Sequence, residues 1–174
     1  MTNSSHFTYD FLVGQGFDVH ALKPLDHDNH IMLCGIKVPC RFQLIAHSDG
    51  DVVLHALVDA LLGAIGAGDI GEHFPPTDDR WKNADSSEFI KHAMQLYHEK
   101  NAILVNVDVT IIGEKPKILP YKTAMQEKLV SLLKLPLDRM NIKATTTEKL
   151  GFLGRSEGIA AQAIVSVKIP LKTA

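Results

Sequence analysis

Apolar positions along the chain follow two rhythms, one of period two and one close to 3.6. Residues 9–18 are apolar and partly β-branched, which predicts a first strand. Residues 30–42 alternate Ile31, Leu33, Ile36 and Val38 around Gly35 and predict a strand with a bulge, or a hairpin. The stretch between them, 21–29, is polar, carries Pro24 and reads as a loop. Val52, Val53, Ala56, Leu57, Ala60, Leu61, Ala64 and Ile65 recur at helical spacing, and Gly66 and Gly68 end that helix. Asp85-Ser86-Ser87-Glu88 has the form of a capping signal and opens a second helix to about Lys100. A β-branched strand follows at 104–112. A third helix at 121–135 carries Ala124, Met125, Leu129, Leu132 and Leu133 on one face. Strands are predicted at 140–147 and 159–169, and loops at 69–84, 113–120 and the Gly-rich 148–158. Segregated strands and three helices point to an α+β fold, one β-sheet with helices on one face.

Composition narrows the class. The 174 residues suit a single domain, 1–174, with 1–8 expected as a flexible N-terminal tail. A net charge of -2 leaves no basic excess for a nucleic-acid backbone. Apolar runs are broken by Gly, Asp or His well short of a membrane span. The start has neither a secretory signal nor an Arg-rich transit character, so a cytoplasmic location is expected, with a processed plastid form left open. Cys34 and Cys40 read as two lone thiols rather than a disulfide, and without a CxxC pair they do not suggest cysteine zinc ligation.

Four segments carry candidate chemistry. In Gly14-Gln15-Gly16-Phe17-Asp18-Val19-His20, Val19 stands where a dinucleotide fingerprint wants a third Gly, which argues against that reading. Asp18 and His20, two apart in a strand, project from one face and make half of a metal site; a surface pair is the alternative. The turn His47-Ser48-Asp49-Gly50-Asp51 offers three N-cap residues, and the first helical N–H groups there favour an anion. His55 lies on the helix side away from Leu57 and Leu61, flanked by Asp51 and Asp59. A plain cap and solvated polar face explains Ser48 and Asp49, but less well two histidines and three aspartates in so short a stretch. Asp18, His20 and His55 together would leave one position of a tetrahedral zinc open, the catalytic pattern. Asp51 or Asp59 would then orient His55 from behind. Thr145-Thr146-Thr147-Glu148 and the glycines after it can hold phosphate oxygens and a hard cation, or form an ordinary polar loop. Glu114-Lys115-Pro116-Lys117-Ile118-Leu119-Pro120 is a stiff loop that could present backbone groups to a base.

The segments GQGFDVH, IMLCGIKVP, AHSDGDVVLHALVDALLGAIGAGDIGEHFPPTD, DVTIIGEKPKILPY and NIKATTTEKLGFLGRSEGIAAQA closely resemble, in order, those of the 2-C-methyl-D-erythritol 2,4-cyclodiphosphate synthases. The resemblance implies a homotrimeric, prism-like assembly with sites between subunits. The implied reaction converts 4-diphosphocytidyl-2-C-methyl-D-erythritol 2-phosphate to the cyclic diphosphate and CMP, a step of the non-mevalonate route to isoprenoids. It implies one zinc per subunit on Asp18, His20 and His55, and a second divalent cation, magnesium or manganese, near Glu148. Phosphate contacts are implied at His47 and Ser48, ribose contacts at Asp69 and Gly71, and diphosphate contacts at Thr145 and Thr146. The cytosine loop falls on Gly113 to Leu119, with Pro116, Lys117 and Ile118 among its residues. Thr147, Phe152 and Arg155 complete the expected substrate contacts, and His47, Thr146 and Glu148 are the expected catalytic residues. Two departures stand out: Pro76, where some members carry Asp near the substrate polyol, and the wording GEKPKIL of the cytosine loop. The residues alone would also suit a metal-dependent phosphodiesterase, or a nucleotide-binding trimer without activity.

Overall fold

A computed structural model of the chain describes residues 8–75, 77–81 and 84–171. Pro76 and the expected N-terminal tail, apart from Thr8, lie outside the described residues. The described residues form one mixed sheet of five strands in the order β2-β1-β5-β3-β4. These are β1 (Tyr9–Leu33), β2 (Ile36–Ile45), β3 (Ile103–Ile112), β4 (Met140–Thr145) and β5 (Gly158–Pro170). Neighbours run antiparallel except β3 and β4, which are parallel and joined through a helix. The helices are α1 (Val52–Ala64), the single turn α2 (Ile70–His73), α3 (Ser87–Glu99), α4 (Lys122–Leu133) and the single turn α5 (Gly151–Gly154). Thus α2 and α5 occupy parts of two segments expected to be loops. Among the described residues, no helix is long and apolar enough to cross a membrane.

The stretch 21–29 is not a separate loop but part of the 25-residue β1. The first half of β1 pairs with β5 from Tyr9↔Pro170 to Ala21↔Gly158, and the second half with β2 from Ala21↔Ile45 to Leu33↔Ile36. Between Pro24 and Asn29 β1 takes five steps where β2 takes two, so the polar residues leave the ladder as a bulge. Pro24 sits where the ladder breaks, and its missing N–H is least costly there. Partner strands set this pairing, which is why the local composition hides it. The β1–β2 turn places both Cys34 (φ 56) and Gly35 (φ 74) in the left-handed region, as a two-residue hairpin demands.

Gly14 and Gly16 determine how closely α1 approaches. A Cβ at Gly14 would lie 1.9 Å from the Ala60 carbonyl oxygen, and one at Gly16 2.0 Å from that of Ala56. Two glycines on one face of β1, opposite the small residues Ala56, Ala60 and Ala64, let helix and strand touch backbone to backbone. Next on that face of β1 come Asp18 and His20. From Val52 to Ala64, α1 is buried everywhere except His55, Asp59 and Gly63, a stripe four residues apart. The opposite face of β1 carries Phe11, Val13, Phe17 and Val19, all exposed, with Phe11 73% and Val13 71% accessible.

Candidate active site and metal centre

The turn before α1 is anchored by Asp51, a carboxylate with no exposed surface. Its Oδ1 accepts from the backbone N–H of Cys34 at 3.0 Å, Val53 at 3.2 Å and Leu54 at 3.1 Å, and its Oδ2 from Gly35 at 2.6 Å. One side chain therefore caps α1 and pins the β1–β2 hairpin to it. Burial pushes the Asp51 carboxyl up to about 6, although the Gly35, Leu54 and Cys34 N–H groups oppose the shift. Asp49 reaches the other way: its carboxylate accepts from Ser86 N at 3.1 Å and from Ser86 Oγ.

On this scaffold Asp18, His20 and His55 converge. Asp18 Oδ2 lies 3.1 Å from His20 Nε2 and 3.0 Å from His55 Nδ1, and the two ring nitrogens are 3.0 Å apart. Among the described residues these three form a group whose ligand atoms all lie within 4.8 Å of one another. Burial alone would raise the Asp18 carboxyl, but hydrogen bonds and charge from His20 and His55 outweigh it and hold Asp18 well below the usual carboxylate range. Two imidazoles and an ionised carboxylate at one point, half-buried, suit a borderline-soft cation such as zinc.

Beside the triad opens a cavity of about 320 Å³ lined by His20, Ala46, His47, Ser48, His55, Ile70, Gly71, Phe74, Trp81 and Phe89. Its aromatic wall is a packed cluster, with the Phe74 and Phe89 rings 4.4 Å apart and Trp81 edge-on to Phe74 at 5.0 Å. Asp69 caps α2, its Oδ1 accepting from Glu72 N at 2.9 Å. A second cavity of about 200 Å³ is lined by Gly113, Glu114, Pro116, Lys117, Ile118, Leu119, Ala144, Thr145 and Thr146. Next to it, Thr146 Oγ1 donates to Glu148 Oε1 at 2.7 Å, and Lys149 N donates to Glu114 Oε1 at 3.3 Å. Glu148 has a positive φ of 52 and is exposed.

The model of the YgbB family matches residues 11–168. The chain belongs to the YgbB family. Over 158 residues it is 55% identical to a bifunctional enzyme IspD/IspF of Caulobacter vibrioides, covering 91% of this chain and 41% of that protein. The chain thus spans about two fifths of that relative's length. It is 53% identical to a 2-C-methyl-D-erythritol 2,4-cyclodiphosphate synthase of Xanthomonas campestris pv. campestris, covering 91% of this chain and 95% of the relative. Among solved structures, IspF of Plasmodium falciparum in a CDP complex matches with a TM-score of 0.80 at 33% identity, covering 93% of this chain and 97% of that one.

In this YgbB chain the residues singled out in the sequence separate into two groups. His20, His47, Ser48, His55 and Gly71 line the first cavity, Asp18 joins His20 and His55 in the cluster beside it, and Asp69 caps α2. Gly113, Pro116, Lys117, Ile118, Leu119, Thr145 and Thr146 surround the second, with Thr147 and Glu148 following in the chain. Phe152 and Arg155 stand at α5, outside both linings, and Arg155 pairs with Glu157 at 2.8 Å. Two expectations need correction. The amides of Val53 and Leu54 at the start of α1 do not await an anion, because Asp51 already accepts both. Neither Asp51 nor Asp59 orients His55: Asp51 is spent on backbone, and Asp59 accepts from Ile70 N at 2.8 Å. The groups against His55 Nε2 are Ser48 Oγ at 3.0 Å and Ser86 Oγ at 2.9 Å. The aromatic wall and Ser86 were missed; Asp85-Ser86-Ser87 was visible as a helix start, and nothing local marked its hydroxyl as facing a histidine.

Proposed function

We propose that the chain catalyses cyclisation of 4-diphosphocytidyl-2-C-methyl-D-erythritol 2-phosphate to 2-C-methyl-D-erythritol 2,4-cyclodiphosphate and CMP, as a cytoplasmic homotrimer. The observation that carries this reading is the Asp18–His20–His55 cluster opening onto a cavity, in a chain of this family. The 2-phosphate oxygen attacks the β-phosphorus, the bond from that phosphorus to the oxygen bridging the α-phosphorus breaks, and the oxygen leaves with CMP. The attacking phosphate monoester is largely ionised near neutral pH, so no strong base is needed. Repulsion between anions and the ordering of a flexible chain are the obstacles.

Zinc held by Asp18, His20 and His55, with a magnesium or manganese ion held by Glu148, would supply charge neutralisation and polarisation of the phosphate oxygens. The remaining work falls to side chains. Ser48 accepts from Gly50 N at 3.2 Å, which leaves its own proton to donate to the 2-phosphate, and His47 stands exposed at the rim to meet the same group. Ile70, Phe74, Trp81 and Phe89 exclude water from the reacting centre. Gly71 and Asp69 meet the ribose, Gly113 to Leu119 take the cytosine, and Thr145 and Thr146 hold the diphosphate. The bare apolar face of β1, continued by Ile164 on β5, supports a trimer in which three sheets wall a prism. Sites between subunits would let the metal face of one copy meet the nucleotide face of the next.

Incubation with the diphosphocytidyl substrate, zinc and magnesium, followed by phosphorus NMR, tests the reading. Equal amounts of CMP and cyclic diphosphate are expected. Phosphate or a linear diphosphate derived from water would make the chain a hydrolase, and CDP binding without CMP release would make it a binding protein.

A further inference from the structure

His55 faces its two environments with different nitrogens. Nδ1 points at Asp18 Oδ2 and His20 Nε2, and Nε2 points at Ser48 Oγ and Ser86 Oγ. A neutral imidazole ligates through a nitrogen without a proton, so ligation by Nδ1 requires the proton on Nε2. Whether a hydroxyl enforces that state depends on where its own hydrogen goes. Ser48 cannot decide the matter, because its proton is free to point either way. Ser86 differs. Its O–H donates to the Asp49 carboxylate, which also accepts from Ser86 N at 3.1 Å and from Asp51 N at 3.2 Å. A carboxylate receiving three donors is an acceptor, so the Ser86 hydrogen is committed and only its lone pairs face His55.

An independent feature shows that this hydroxyl is diverted. Ser86 occupies the N-cap position of α3, where serine ordinarily accepts from its own helix, yet it makes no such cap bond. It is fully buried, has helical dihedrals (φ -62, ψ -12), and its oxygen is turned across to α1. The link also joins distant parts of the chain: Asp49 belongs to the turn before α1, and its N–H donates to Ala84 O at 3.2 Å.

We propose that Asp49 and Ser86 are positioning residues that hold the His55 proton on Nε2 and so present Nδ1 to the metal. The inference rests on the metal reading above. The relay contacts neither substrate nor metal; it acts by fixing which nitrogen of a ligand is available and how the ring is turned.

Nitrogen-15 NMR of the histidine rings and zinc titration against a competing chelator test it together. In the metal-free protein His55 Nε2 should carry a proton. A bare Nε2 overturns the proposal without reference to any metal. In Ser86→Ala, zinc should bind roughly 10- to 100-fold more weakly than in wild type. Asp49→Asn, which releases the Ser86 hydrogen from its charged acceptor, should weaken zinc in the same direction. Ser87→Ala, a neighbouring buried serine with no bond to His55, should leave affinity unchanged. Wild-type zinc affinity in Ser86→Ala contradicts the relay, as does an equal loss in Ser87→Ala, which would make the effect one of helix packing. If wild-type protein takes up no zinc, the metal reading is what fails, and the ring NMR still decides where the His55 proton resides.

Discussion

Around Asp18, His20 and His55 the ligand cluster is braced from within the chain. Asp51 pins the hairpin and helix that converge there, Gly14 and Gly16 bring strand and helix into backbone contact, and Ser86 and Asp49 stand behind the imidazole of His55. Around Thr145, Thr146 and Glu148 the side-chain hydrogen bonds are short-range. Thr145 Oγ1 donates to Thr146 O at 3.1 Å and Thr146 Oγ1 to Glu148, contacts made within two residues. Thr145 and Glu148 are exposed at the end of β4, and the two cavities share no lining residue. On the proposed reading, the braced group would be the metal face and the open group the nucleotide face of a site completed by a second copy. A cation on the open face can draw its remaining ligands from phosphate oxygens and water, as magnesium commonly does.

The largest effect should come from the braced side. His55→Ala leaves two ligands, too few to hold zinc well, and should lower turnover at least on the order of a thousandfold while the chain stays folded. Full zinc occupancy of that variant by elemental analysis would overturn the assignment. On the open side, Glu148→Gln should retain zinc and lose about a hundredfold in kcat, with KM changing less, since an amide is a poor ligand for a hard cation. A normal rate at low magnesium would show that Glu148 does not serve there.

The same contrast decides what could be read in advance. Asp18 and His20 were legible because two-residue spacing in a strand fixes a shared face, and α1 because its apolar rhythm is strong. That His55 meets them depends on Gly14 and Gly16, whose meaning is a close approach to Ala60 and Ala56, 46 and 40 residues further along the chain. The wall formed by Phe74, Trp81 and Phe89 was hidden for the same reason, since its rings come from α2's end, a 3₁₀ turn and α3. Thr145 to Glu148, being one contiguous segment, could be picked out whole from the sequence.

Two smaller effects probe the bracing itself. Gly14→Ala drives a Cβ into the Ala60 carbonyl, a backbone atom that cannot swing aside, and should cost about 3 kcal/mol in denaturant unfolding. Stability within about 0.5 kcal/mol of wild type would mean that α1 does not lie so close. Asp51 gives a pH signature. Its carboxyl, raised by burial from 3.8 to about 6, holds its proton more tightly in the folded chain than in the unfolded one. The resulting stabilisation is full below about pH 4 and is lost as pH rises through 6. Asp51→Asn removes this titration. The stability of wild type relative to that variant should therefore be greatest at pH 4 and fall by about 2 kcal/mol by pH 7. A constant difference over that range would show that burial does not govern this carboxyl.

Mixing two inactive chains tests most directly whether one face of each site comes from a neighbouring copy. His55→Ala spoils the metal face and Glu148→Gln the nucleotide face. In a head-to-tail ring of three, every mixed trimer contains one junction where both intact faces meet. Equal amounts unfolded and refolded together with zinc give about three quarters mixed trimers, so roughly one quarter of all sites should release CMP. Activity no greater than that of the separately refolded parents, with mixed trimers verified by mass spectrometry, would place the whole site within one chain and contradict the account.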